Sequence, residues 1–550
     1  MTVRPARARD GTPHRRGDGG DDGGTARGSL TTAGWTVVSR VTGLLRVVVI
    51  GAALGPTYFA NLFQSANQVP NLTYEVVAGP VLALVVVPAA VRARAPGDAG
   101  GPRSPDLLGG VAGLLTVVSA AVAGLLVLVA PVAAWVLTAG VDLSGERGRA
   151  WLVTVVLIVL VAPQVVLYAL AYLGAAAQQS RRRFALPAAA PAIENVVLMA
   201  VVGAVVLVHG AGVEIDTASP AVVLLLGGGS TLAVAIHAAI QVAGARAAGA
   251  PVRPRRGWRD DPEVMAVAVR LRRSVRVAAL PAAGVFGLIA VAGTVPGGVS
   301  VFWLAYSLGA VPTALGARAV TAAVLPSLSA ASQARRDADF AAGWRRGLTY
   351  SSLVSVPAAA LMVTFAATLA AILAVGELRS AAIVTALAVC IVVIGISQLF
   401  GSTYEIARQA LFARLDTATA GRASDLGFVA VVVVAGASLL TSDAVVRLAL
   451  LCGAVVARDV VASVVVLTRL RREIRPEPLV DGRAIGVVLV ATAAMAPALW
   501  GGREVLATAP PGGFAAIAAV TVASAVAVGC FAGTARVATV LARGRRGAPC

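Results

Sequence analysis

The chain has 550 residues, of which 58% are hydrophobic and 13% charged, whereas soluble domains are roughly 45–50% apolar and about 25% charged. With a mean hydropathy of +0.84, this excludes a disordered protein, a secreted disulfide scaffold and a single-span receptor, and leaves little room for a soluble enzyme domain. The net charge of +19 comes entirely from Arg, because the sequence holds no Lys; in a membrane protein that is the cation excess of cytoplasmic loops rather than a nucleic-acid footprint.

Residues 1–30 are rich in Gly, Asp and Arg without an apolar period and read as a disordered cytoplasmic tail. Arg15-Arg16 is followed by Gly and Asp rather than an apolar stretch, so no cleaved signal is expected. Fourteen apolar runs follow, at about 31–54, 61–91, 108–137, 152–178, 184–208, 220–245, 276–296, 299–330, 347–375, 380–407, 423–440, 443–468, 484–501 and 512–534. Each approaches the roughly 20 residues that cross a hydrocarbon core. The expected fold class is therefore an all-α polytopic membrane protein.

Arg alternates between the loops. Arg181-Arg182-Arg183, Arg335–Arg346 and Arg469–Arg475 fall on one side, and the Arg-free His209–Ser219 loop on the other. That places both termini in the cytoplasm and favours an even span count. In the longest inside loop, 246–275, Asp260-Asp261-Pro262-Glu263 has the chemistry of a helix start. The following Val264–Val275, with Arg270, Arg272 and Arg273, reads as a basic amphipathic helix on the membrane surface. The chain then divides into an N-lobe (31–245), a C-lobe (276–470) and a last pair of spans with a short tail (471–550). Val69-Pro70 with Val87-Pro88 in span two is echoed by Val311-Pro312 with Leu325-Pro326 in span eight, as in transporters built from repeated bundles.

Asn61, Gln64, Gln68, Asn71 and Glu75 recur at spacings of three and four in the second span, which sets five polar groups on one helix face. Such a face cannot meet lipid. It meets either other helices, as hydrogen-bonding glue, or water; its length and terminal carboxylate favour a hydrated cavity. Arg40 and Arg46 lie in the first span and Arg318 in the eighth. Intramembrane arginines are functional candidates unless they snorkel to the interface, and a guanidinium fork suits phosphate. Gln164, Tyr168 and Tyr172 share one face, and Gln398, Ser402, Glu405 and Gln409 another; both read as packing groups. Arg458 and Asp459 point about 100° apart and need not pair. Gly227-Gly228-Gly229-Ser230 has no Lys after it and reads as helix packing, not a phosphate loop. The scattered His14, His209 and His237, and Cys390, Cys452, Cys530 and Cys550 without a CxxC, give no catalytic, metal or cofactor motif.

The runs Ser39-Arg40-Val41-Thr42-Gly43-Leu44-Leu45-Arg46, Ala52-Ala53-Leu54-Gly55 and Asn67-Gln68-Val69-Pro70-Asn71-Leu72 resemble the start of the MurJ (MviN) lipid II flippases, within the multidrug/oligosaccharidyl-lipid/polysaccharide exporter superfamily. Arg183-Phe184-Ala185-Leu186-Pro187 through Asn195, Leu325-Pro326-Ser327-Leu328-Ser329 and Leu411–Thr417 extend the resemblance, in order, to about residue 420. It implies fourteen spans in two six-helix lobes plus two helices in a bacterial plasma membrane. It also implies movement of undecaprenyl-pyrophosphate-linked glycopeptide from the inner to the outer leaflet, with Arg40 and Arg46 holding the pyrophosphate and the last two helices lining a groove for the lipid tail. The chain departs from the family at Asn61, where many members have an acid, and at Thr73-Tyr74-Glu75, where many have an Arg pair. Ser307 stands in place of another Arg, with Arg318 three turns further on as its substitute.

The expectation is a flippase working by alternating access, not an enzyme. Asn61, Gln64, Gln68, Asn71, Glu75, Arg40, Arg46 and Arg318 are its substrate-binding candidates. Its expected partners are the lipid-linked oligosaccharide and membrane lipids. A coupling ion or the membrane potential, and cell-wall synthesis proteins, are further candidates; a cofactor, a metal and nucleic acid are not expected. The alternatives are an exporter of another polyprenyl-linked glycan or of small cations, or a membrane scaffold for envelope assembly without transport.

Overall fold

The computed structural model describes residues 22–81, 104–141, 146–181, 183–508 and 513–544. The start of the N-terminal tail, Val87-Pro88-Ala89 and the last residues, 545–550, lie outside the described residues, as does the side chain of Glu75.

Every long element among the described residues is a helix. Helices α1 (Asp22–Leu54), α2 (Tyr58–Val81), α3 (Ser104–Leu137), α4 (Arg147–Val161), α5 (Gln164–Ser180), α6 (Ala185–His209) and α7 (Pro220–Ala247) come first. They are followed by α8 (Pro262–Ala292), α9 (Gly298–Thr313), α10 (Ala319–Gln333), α11 (Asp337–Thr364), α12 (Ala366–Leu373), α13 (Ala381–Ala413), α14 (Thr417–Ser438) and α15 (Ala444–Glu473). The chain closes with α16 (Gly482–Ala493), α17 (Ala496–Thr508) and α18 (Phe514–Gly544).

Among the described residues, twelve spans, counting broken helices as one, are long and apolar enough to cross a membrane. The other two expected runs, the second and seventh, correspond to α2 and α8. Helix α2 carries the polar stripe, and its described part ends at Val81. Helix α8 is continuous from Pro262, so the basic segment and the following span form one rod whose apolar part is Ala279–Ala292. Asp261 caps it, accepting hydrogen bonds from the Glu263 and Val264 amides.

Proline explains breaks that hydropathy does not show. Pro163 separates α4 from α5 inside one apolar run. Pro312 precedes a π-helical turn, Ala314–Arg318, between α9 and α10; the ring removes one ladder bond and crowds the carbonyl a turn back.

The helices pack as two bundles. In the first, α1 lies on α6, and α7 lies on both α5 and α6, around a core that includes Phe59, Phe63, Leu157 and Leu226. In the second, α13 and α14 pack on α15, with α9 and α11 on α13, around Phe302, Leu387, Ile391 and Leu451. Helices α16 and α18 pack together and reach α11 through Phe365 and Met495. The bundles meet where α2 and α3 touch α8 and where α1 touches α9. Glycines in the first bundle fit the helix-packing reading: Gly227 faces Leu160, and Gly229 faces Val201.

Candidate functional site: the cleft between the bundles

One end of the cleft is closed. Asn61 is 1% exposed. Its amide nitrogen donates to the carbonyls of Val295 (2.7 Å) and Gly293 (3.3 Å), and its oxygen accepts from the Val299 amide (3.1 Å). One turn on, Gln64 Nε2 donates to Ser300 Oγ at 2.6 Å. The backbones approach closely here. Gly297 (φ +68°) sits on Pro56, and Gly376 (φ +60°) on the Ala52 carbonyl. Both are left-handed conformations that favour glycine, and a side chain at either would collide with the opposite bundle.

This corrects the placement of Asn61 and Gln64 in an open cavity. In this conformation they are hydrogen-bonding glue between bundles, because the 293–300 segment offers the Val299 amide at a helix start and the Gly293 and Val295 carbonyls, the latter also accepting from the Gly298 amide. The next members of the stripe, Gln68 and Asn71, are half-buried. The stripe therefore runs from the closed end towards the open one.

At the open end Arg40 on α1 and Arg318 at the end of the π turn are both exposed, and they lie within electrostatic range of each other and of Tyr172. The face of Arg318 could not be projected from Ser307 by counting helical residues, because the π turn intervenes and inserts an extra residue. Arg46, nearly two turns deeper on α1, is half-buried. Among the described residues no carboxylate stands within ion-pair distance of Arg40, Arg46 or Arg318. Two like charges from opposite bundles thus share one cleft, which an anion with several oxygens would satisfy.

Each bundle also holds a buried polar cluster. In the second, Arg458 does pair with Asp459, at 2.9 Å, and Ser397 donates to the other carboxylate oxygen at 2.9 Å. Backbone direction set the two side chains apart, but the three methylenes of Arg458 curl back to its neighbour. Gln398 pairs with Thr313 beside this cluster. In the first bundle Gln164 bonds to Ser230 and Thr231 (3.2 and 3.1 Å).

Beside it lies a group that sequence reasoning missed. Glu194 accepts from Tyr168 Oη at 2.8 Å and contacts His237 Nδ1 at 2.5 Å. The signal was present, since an acid and a histidine stand in apolar runs, but 43 residues separate them and only the fold makes them neighbours.

These features define a polytopic helical membrane protein whose two bundles are sealed together at one end and bring Arg40 and Arg318 within electrostatic range of each other at the other. The family model for the lipid II flippase MurJ matches residues 50–519, and the chain belongs to that family, whose members are flippases rather than enzymes. It is a multi-pass membrane protein. A curated relative, the lipid II flippase MurJ of Burkholderia cenocepacia, is 30% identical over 174 residues. That match takes in 32% of this chain and 33% of the relative, so the chain spans about a third of the curated relative's length.

Among solved structures, a lipid II flippase MurJ in an inward closed conformation superposes with a TM-score of 0.70 at 13% identity. It covers 92% of this chain and 98% of that one. An inward-facing multidrug resistance MATE family transporter of the MOP superfamily has a TM-score of 0.57 at 13% identity, covering 82% and 99%. These likenesses show the fold.

Proposed function

We propose that the protein moves an undecaprenyl-diphosphate-linked glycopeptide, lipid II, from the inner to the outer leaflet by alternating access. The observation that carries this reading is that Arg40 of one bundle and Arg318 of the other are both exposed and lie within electrostatic range of each other, away from the sealed end. A diphosphate has enough oxygens to engage both guanidinium groups, and Arg46 further in, with charge-assisted hydrogen bonds. Closing the cleft around it offsets the repulsion between like charges. Residues 31–245 and 276–470 act as the two lobes that rock, and 471–550 supplies a groove for the lipid tail.

The Arg-rich loops set the sidedness. With both termini inside, the end sealed by Asn61 and Gln64 faces outward, and the cationic opening faces the cytoplasm where the substrate is made. Arg40, Arg46 and Arg318 bind the diphosphate, Gln68, Asn71 and Glu75 line the path, and Asn61 and Gln64 form the outer gate. The test is complementation of a strain depleted of its lipid II flippase. The wild-type gene restores growth, and Arg40→Ala with Arg318→Ala does not, although the protein inserts normally. Growth with both arginines removed would overturn the reading.

A further inference from the structure

The cluster around Glu194 has no part in the transport path as described. Glu194, His237 and Tyr168 are 7%, 5% and 5% exposed, and they come from α6, α7 and α5. A carboxylate can only accept, so the proton between Glu194 and His237 sits on Nδ1 when the acid is ionised. The imidazole Nε2 is then the atom that takes a second proton. Without that proton the pair carries one negative charge; with it the pair is neutral.

The cluster reaches the cleft through α1. Next to Glu194, Asn195 donates to Thr42 Oγ1 at 3.2 Å, and Thr42 and Arg46 lie one turn apart on the same face of α1. Arg46 is within electrostatic range of both Glu194 and Tyr168. The titratable and charged groups that face the cluster, among the described residues, are Arg46 from α1 and Tyr168 and Tyr172 from α5. The described polar groups of the other elements packed there are neutral: Asn67 from α2 and Ser230 and Thr231 from α7, all joined to Gln164 of α5. The described part of α3 within the membrane, 109–137, carries no ionisable side chain.

We propose that Glu194 and His237 form a proton-binding site whose occupancy sets whether Arg46 is available to an anion. The inference rests on the reading of Arg46 as a diphosphate ligand. In the singly protonated pair, the charge on Glu194 and that on Arg46 offset each other inside the low-dielectric bundle. When His237 takes its second proton, the pair becomes neutral, and Arg46 carries an uncompensated positive charge towards the cleft. A diphosphate bound there supplies the missing negative charge, so proton and anion favour each other's binding. By linkage the effect is reciprocal.

The site is tested on the full chain in detergent micelles. His14 and His209 are replaced by Gln, which leaves His237 as the sole histidine, and the ring nitrogens are observed by NMR between about pH 5 and 9. The readout is the number of protons on the His237 ring at each pH. Arg46→Gln should hold the second proton to higher pH, because a repelling charge has gone. Glu194→Gln should release it at lower pH, because the attracting one has gone. If Glu194→Gln fails to fold, Arg46→Gln on the exposed side of the cluster carries the test.

A short-chain prenyl diphosphate should act like Arg46→Gln on the protein that has Arg46 and do nothing to the variant. A ring that keeps one protonation state throughout, or titrates identically with and without Arg46, overturns the proposal. If Arg46→Gln moves the titration and the diphosphate does not, the proton site stands, and the diphosphate role of Arg46 falls instead.

Discussion

Asn61 spends both ends of its side-chain amide on three backbone groups of the opposite bundle. Each such bond contributes about 1 kcal/mol net, and an unmet buried carbonyl costs more than the bond supplied. Asn61→Ala should therefore loosen the sealed end and raise the population open at that end several-fold, read as the distance between spin labels placed on the two bundles. Asn61→Asp should open it further, because a carboxylate cannot donate to the Gly293 and Val295 carbonyls. An unchanged distance distribution in both variants would mean that the seal rests on packing alone. The deeper arginine answers to a different test. Arg46→Ala should abolish flipping in the complementation strain with normal membrane insertion, and Arg46→Lys should keep only part of it, since a point charge loses the two-pronged geometry.

Helix α2 shows what an element can and cannot disclose before it folds. Its spacing of polar residues put one face off limits to lipid, and that much is fixed by the helical repeat. Which partner the face finds depends on the 293–300 segment, more than two hundred residues away. The same stripe therefore serves as glue at Asn61 and Gln64 and stays half-buried at Gln68 and Asn71. Single Cys substitutions, in a background lacking Cys390, Cys452, Cys530 and Cys550, should react with a hydrophilic thiol reagent at 68 and 71 and be protected at 61 and 64. Equal labelling of all four would contradict the closed end.

The spans were legible because length and apolarity are local properties. The turn at Ala314–Arg318 and the meeting of Glu194 with His237 were not, since one depends on how a proline is accommodated and the other on bundle packing. The run Leu411–Thr417, read as a family signature, proves to be a corner. Leu415 has φ +61°, Arg414 pairs with Asp337 at 2.7 Å and stacks over Phe340, and Asp416 caps α14 and pairs with Arg469 of α15. Partial burial pushes the Asp416 carboxyl up, but the Thr419 amide, Arg469 and the Thr419 hydroxyl together hold it below the usual carboxylate range. A depressed acid contributes stability above its unfolded value and loses it as pH falls through the folded one. Proteolysis between α13 and α14 should therefore rise below about pH 4 in the wild type. Asp416→Asn should be more readily cut at neutral pH and lose most of that acid response.

At the scale of the whole molecule, the bundles are sealed together at the end that holds Asn61 and Gln64, and alternating access requires that end to part. The seal lies between α1 and α9 as well as beside α2. An ideal Cβ built on Gly51 falls 3.7 Å from the Ser300 Cβ, close to the roughly 3.8 Å mean of disulfide-bonded pairs. The obstacle is the tip of Leu378, 2.5 Å from the same point; it is a flexible side chain, and Leu378→Ala removes it. Gly51→Cys with Ser300→Cys and Leu378→Ala, in the background without native cysteines, should form a crosslink on oxidation because this structure already holds the two positions together. If the molecule works by parting here, the oxidised protein should be unable to release substrate outward, and reduction should restore transport to the level of the Leu378→Ala control. Both halves are read in one preparation, the crosslink by mass spectrometry of the linked peptides and the transport by substrate reaching the outer leaflet of vesicles. A fully crosslinked protein that still transports would show that the seal between Gly51 and Ser300 never opens. The path would then run elsewhere, and the rocking of two lobes about this cleft would be abandoned.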